Sequence, residues 1–213
     1  MISALNFKIG GGGAAPTPAP VGQTLMKTGQ TTSYRTGDDG DIEAGRATSF
    51  SVLASNNPFG NTNRFTDELG GATYTNNIVI DWSTYDGATV LGYRRTVNAT
   101  AITWNNAIDG ALAVSIGSFT SGWRLPNIYE MMNIWNGGVS LSYNYPPFNL
   151  NTGGNWNIWT SNTPSIASTV AWVVQISNIG SFNYIGKTLT TSAGNDCRYI
   201  PVRTFTVTGT TLT

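Results

Sequence analysis

The chain contains no histidine and one cysteine, Cys197, among its 213 residues. Without histidine it lacks both the commonest general base near neutral pH and the commonest transition-metal ligand. A single cysteine excludes an intrachain disulfide, and with it a disulfide-stapled scaffold; Cys197 is expected to be a small buried hydrophobe. Charge is also scarce, at 10% of residues against roughly a quarter in ordinary soluble domains. Eleven cations balance 11 anions with no Lys/Arg run, so neither nucleic acid nor an anionic membrane surface is an expected partner. No apolar run has the length of a membrane span, and insertion into a membrane is not expected. The first nine residues lack a basic n-region and an adequate apolar stretch, so they do not read as a signal peptide.

What is present is apolar and aromatic. Hydrophobic residues make up 40% of the chain and aromatic ones 11%, enough for a sizeable core in one domain with appendages. Thr, Ser, Asn and Gly must supply the polar surface. Leu5, Phe7 and Ile9 alternate ahead of Gly10-Gly11-Gly12-Gly13 and a Pro-rich stretch to Pro20, a flexible piece followed by a stiff one. Such a tether is useful when both ends are held. The apolar decapeptide is therefore expected to add a strand to another subunit rather than to remain disordered. Residues 1–22 are read as this extended anchoring arm, 23–205 as the folded domain, and 206–213 as a terminal strand or tail.

Short strands are expected at Arg64–Asp67, Asn77–Trp82 and Val90–Arg95, each bounded by Gly or Asn turns. The period changes between Thr103 and Ser115, where Trp104, Ala107, Ile108, Ala111 and Leu112 share a helical face with Thr103 as cap. A second helix is expected over 127–136. Asn127 and Glu130 form a capping-box pair, Ile128, Met131, Met132 and Trp135 give the apolar face, and Gly137-Gly138 ends it. Glu130 is also a candidate ion-pair partner for Arg124. Further strands are expected at Ile158–Ser161, Thr169–Ile176 and Arg198–Val207, and the Thr/apolar alternation of 204–213 suits pairing with an edge strand. The fold class is α+β: two helices on a small, mostly antiparallel sheet with long loops. Trp104, Trp123, Trp135, Trp159 and Trp172 are expected in the core.

Several blocks, read in order, carry a resemblance. They are 27–41 (Lys27 to Asp41), Arg64-Phe65-Thr66-Asp67, Ile102 to Ala107, Gly122-Trp123-Arg124-Leu125-Pro126-Asn127, Trp159-Thr160-Ser161, Ala171-Trp172 and Cys197 to Arg203. Together they resemble the C-terminal domain family of collagen-like bacterial adhesins, which also occurs in phage and cell-surface proteins, over residues 24–205. Between 68 and 100 the chain departs from the family pattern, with Thr73 to Trp82 replacing the usual strands. The resemblance implies a C-type-lectin-like fold, related to that of formylglycine-generating enzymes, in proteins that bind or decorate surfaces.

No catalytic constellation is expected. A formylglycine-generating activity needs thiol chemistry at a copper site, for which one isolated cysteine gives little support, and the scattered acids form no nucleophile and base pair. Asp38, Asp39, Asp41 and Glu43 offer hard oxygen donors suited to Ca²⁺ in a Gly-containing turn; the alternative is a solvated turn whose Asp side chains cap backbone amides. The loop 141–157 interleaves rings with small polar groups, as binding loops do. Tyr143, Tyr145, Asn149, Asn155, Trp156 and Asn157 are its candidate ligand contacts, with rings that either stack on sugars or pin the loop to the core. The expectation is a phage virion protein, in a fibre, tail or capsid decoration, anchored through its arm to other virion subunits, homo-oligomeric, and displaying the domain to a host surface glycan or protein. The alternatives are a bacterial cell-surface adhesin module and a purely structural virion subunit without ligand.

Overall fold

A computed structural model describes residues 50–53, 55–136, 147, 148, 150, 156–176, 181–192 and 194–213. The arm, the tether and the acidic cluster at 38–43 lie outside the described residues. Among the described residues the domain is α+β, mostly sheet with two short helices. The described strands form two sheets rather than the one expected.

The first sheet contains β1 (Phe65–Thr66), β2 (Ile78–Asp81), β3 (Thr89–Arg94) and β10 (Val202–Thr208) in that spatial order. Both β4 (Trp123–Arg124) and β11 (Thr211–Leu212) pair with β10. The second sheet runs β7 (Ser181–Gly186), β6 (Val170–Ile176), β5 (Trp156–Trp159), β9 (Asn195–Arg198), β8 (Thr191–Ser192). All pairings are antiparallel except β5 with β9. Helix α1 is Trp104–Leu112 and α2 is Ile128–Asn133.

Three apolar clusters hold these layers together. One lies between the sheets, where Val79, Tyr93 and Val202 of the first meet Ile158, Val174 and Ile176 of the second, with Met131 and Ile134 of α2. A second covers the other face of the first sheet with Ile78, Ile80, Val90, Phe205, Trp82 and Trp123. The third packs Ala107 and Ala111 of α1 on Trp159, Ala171, Val173 and Ile185. Each sheet is thus covered on both faces. That is why Ile78-Val79-Ile80-Asp81 and Trp156-Asn157-Ile158-Trp159 are buried at every position instead of alternating. Gly92 is required by the same packing, since a Cβ there would lie 2.5 Å from the Phe205 ring.

Several expectations are corrected. The strand expected over Arg198–Val207 is two strands in different sheets, and the chain changes sheets through Tyr199-Ile200-Pro201, where proline has no N–H for a ladder. β10 runs through the boundary placed at 205 and folds back as a hairpin onto β11 at Gly209, whose φ is 60°. Trp82 leaves the second expected strand to begin a 3-10 turn, Trp82–Thr84, capped by the Asp81 carboxylate. Helix α1 begins after Thr103, but the threonine side chain accepts no capping hydrogen bond. In α2 the capping box forms as expected, with Glu130 N–H donating to Asn127 and Asn127 N–H to Glu130. Its buried face is centred on Met131 and Ile134, while Met132 is exposed. Trp123 and Trp159 are core residues; Trp104, Trp135 and Trp172 are only half-buried.

Candidate functional site

The connection between β1 and β2 is built around one carboxylate. Asp67, only 2% exposed, accepts from the backbone N–H groups of Leu69 (3.0 Å), Gly71 (2.8 Å) and Tyr74 (3.2 Å) and from the Thr73 hydroxyl (2.9 Å). Burial pushes the Asp67 carboxyl up, but the bonds from Thr73, Gly71, Leu69 and Tyr74 together outweigh it and hold the group below the usual carboxylate range. The connection can therefore carry unusual backbone. Tyr74 and Asn77 sit in the left-handed region at φ 50° and 61°, which side-chain-bearing residues seldom adopt and which tertiary contacts must sustain. Asn77 is fixed at both ends, its amide donating to the Thr96 hydroxyl at 3.0 Å and its carbonyl accepting from Arg95 N–H at 2.8 Å.

At the end of β3 the chain supplies two successive arginines, which point to opposite faces of the strand. They floor two clefts on either side of the Tyr74–Asn77 turn. Arg94 lies in one of about 290 Å³, with Asn76, Asn77 and the 114–116 turn. Arg95 lies in the other, an open cleft of about 320 Å³ walled by Ser51, Asn63, Phe65, Tyr74 and Pro147. Arg95 Nε donates to the Pro147 carbonyl at 2.6 Å, and the guanidinium carbon is 5.2 Å from the centre of the Tyr74 ring. Burial, reinforced by Asp67 and opposed by Arg95, pushes the Tyr74 phenol up to about 12, so it remains a neutral hydrogen-bonding group. The Arg95 cleft joins the half-buried Tyr74 ring, a part of the buried Phe65, a hydroxyl, an amide and a guanidinium. That composition suits a small polar ligand with apolar faces.

No family model matches the chain, and no curated protein matches it.

The expected ligand residues are divided by the structure. Trp156 and Asn157 are the two that lie within the described residues, and both are buried, on opposite faces of β5. Trp156 packs into the cluster between the sheets, with the Arg198 guanidinium 5.4 Å from its ring centre. Asn157, 3% exposed, donates to the carbonyls of Ser192 (3.2 Å) and Asn195 (3.3 Å), tying β5 to the β8–β9 hairpin. Of the two roles open to that loop's rings, Trp156 takes the core one. Tyr143, Tyr145, Asn149 and Asn155, and the acidic set Asp38, Asp39, Asp41 and Glu43, lie outside the described residues. Among the described residues no three His, Cys, Asp or Glu side chains gather as a metal site, and no helix is long and apolar enough to cross a membrane. Cys197 is fully buried, and burial, eased by a hydrogen bond with Asn157 and reinforced by Asp196, pushes its thiol up to about 11.

Tyr74 and Arg95 were not among the residues that sequence reasoning assigned to a site. Arg95 ends a segment read only as a strand candidate, and Tyr74 lies between two such segments, where the chain departs from the family pattern. The available signals were the Asn76-Asn77 pair, a favoured composition for left-handed turns, and two arginines side by side in a chain with few charges.

Proposed function

We propose that this chain is a phage virion protein, part of a fibre, a tail or a capsid decoration, whose C-type-lectin-like domain binds glycans on the host surface. The Arg95 cleft carries this reading. Its wall, the strained Tyr74 backbone, is held by the hydrogen-bond network of the Asp67 carboxylate, which preorganises a surface for binding. The cleft also adjoins Pro147, within the aromatic, Asn-rich stretch that the sequence marks as a binding loop. Sparse charge and a Thr/Ser/Asn/Gly surface fit a particle exterior, and the arm provides the attachment to other virion subunits.

Binding to a glycan array and to host cells by the full chain tests the proposal, with Tyr74→Asn as the variant. Asparagine tolerates the left-handed backbone and removes the ring. The expected outcome is a tenfold or greater loss of binding with the melting temperature little changed. Wild-type protein that binds neither array nor cells would leave the purely structural virion subunit in its place.

A further inference from the structure

Among the described residues three arginines pair with a carboxylate, and Arg94, Arg95 and Arg203 do not. Arg64, Arg124 and Arg198 each hold a carboxylate, Asp81 at 2.8 Å, Glu130 at 2.6 Å and Asp196 at 2.7 Å. Arg95 holds none among the described residues, and its one side-chain hydrogen bond leaves through Nε to a neutral carbonyl. The two Nη nitrogens have no protein acceptor among the described residues, yet neither is a buried orphan. Among the described residues they line the cleft as a fork with no counter-charge. The Asp67 carboxylate next to Tyr74 does not answer this charge, because all its bonds go to donors of its own loop. Ser51 and Asn63, both exposed, bring a hydroxyl and an amide with no side-chain partner among the described residues.

We propose that the Arg95 cleft takes a saccharide bearing a carboxylate, such as a uronic or sialic acid residue. The acid lies on the Nη fork, the sugar face lies against the half-buried Tyr74 ring, and ring hydroxyls bond Ser51 and Asn63. A planar guanidinium matches a carboxylate with two parallel hydrogen bonds, a geometry that neither lysine nor an amide reproduces. The half-buried, ring-stacked position of Arg95 lowers the ordering cost of that fork and reduces competition from water. This inference rests on the reading of the cleft as a glycan site and adds the class of sugar.

Titration calorimetry of the full chain with oligosaccharides of galacturonate, glucuronate and sialic acid, each beside its methyl ester, tests it. Esterification removes the charge and changes nothing in the protein. At least one acid should bind tenfold or more tightly than its ester, with an affinity that falls as salt rises. Arg95→Gln should abolish the difference between acid and ester, and Arg95→Lys should retain only part of it. Equal binding of every acid and its ester would overturn the inference and leave a neutral glycan site standing. An acid preference that survives intact in Arg95→Gln would also overturn it, by placing the acid elsewhere. Absence of binding by the whole panel, with neutral glycans bound on the array, defeats the inference alone; absence on both defeats the glycan reading as well.

Discussion

Arg64 and Arg95 both lie over aromatic rings, and they do opposite things. Arg64 is fully buried, stacked 4.4 Å from the Phe50 ring centre and 4.5 Å from that of Phe65. Its Nε and Nη2 grip the two oxygens of Asp81 at 2.8 Å each, Nη2 also donates to the Asn133 carbonyl at 2.7 Å, and Nη1 to that of Phe50 at 3.3 Å. Asp81 is closed in turn by Asn133 and the Ser83 amide. This network ties β2 to α2 and has no room for a ligand. Arg95 stands 5.2 Å from one ring centre, that of Tyr74, and has one carbonyl partner, and among the described residues its remaining donors meet no acceptor at the cleft. A buried guanidinium with every partner satisfied is architecture; a half-buried one with an open fork is a place where chemistry can arrive from outside.

Breaking the closed network should have the largest effect. Asp81→Asn leaves the Arg64 charge buried without a counter-charge, and stability measured by urea unfolding should fall by about 3–5 kcal/mol. The pair Arg64→Met with Asp81→Leu removes both charges and should lose less than Asp81→Asn alone. An Asp81→Asn protein as stable as wild type would mean that Arg64 is not confined as described.

An intermediate effect is expected at Asp67, which supports the wall of the open cleft. Asp67→Ala leaves several loop donors without their acceptor and should cost about 1.5–3 kcal/mol. Because its folded pKa is depressed, Asp67 contributes stability above the ordinary carboxylate value of about 4, and that contribution is lost as pH falls through the lower folded value. Hydrogen exchange at the Gly71 and Tyr74 amides should show the loop loosening below about pH 4. In Asp67→Ala this acid-dependent step should be missing.

The contrast between the two arginines also marks how far the sequence could be read. Interactions between residues close in sequence were legible: Asn127 and Glu130 cap α2, and Glu130 pairs with Arg124 six residues away. The α+β class followed from the two changes of hydrophobic period. What failed was long-range. Asp81 meets Arg64 across 17 residues and Asn133 across 52, and nothing in a one-dimensional pattern selects those partners. Two-sided burial hid the register of β2 and β5, since a strand covered on both faces loses its alternation. β7 escaped for the opposite reason: Ser181-Phe182-Asn183-Tyr184 sits at a sheet edge with its large rings exposed. The cleft needs Ser51, Tyr74, Arg95 and Pro147 together, residues that only the fold brings near one another. Trp156, by contrast, looked like a binding residue because composition cannot tell an exposed ring from a buried one.

The smallest change in stability is expected where the functional change should be greatest. Arg95→Gln forfeits one hydrogen bond to the Pro147 carbonyl and the stacking on Tyr74, in a half-buried position with water close at hand. Such losses are worth about 1 kcal/mol or less, because solvent replaces the missing partner. Glutamine keeps a donor of its own for Pro147, which narrows the loss further. Urea unfolding should therefore place Arg95→Gln within about 1 kcal/mol of wild type, well short of the deficit in Asp81→Asn. A loss at Arg95 as large as that at Asp81 would erase the distinction between them, since it would mean that Arg95 holds the domain together from the cleft just as Arg64 does from the core. A small loss keeps the distinction, and it makes any fall in binding of the variant attributable to the guanidinium rather than to a damaged fold.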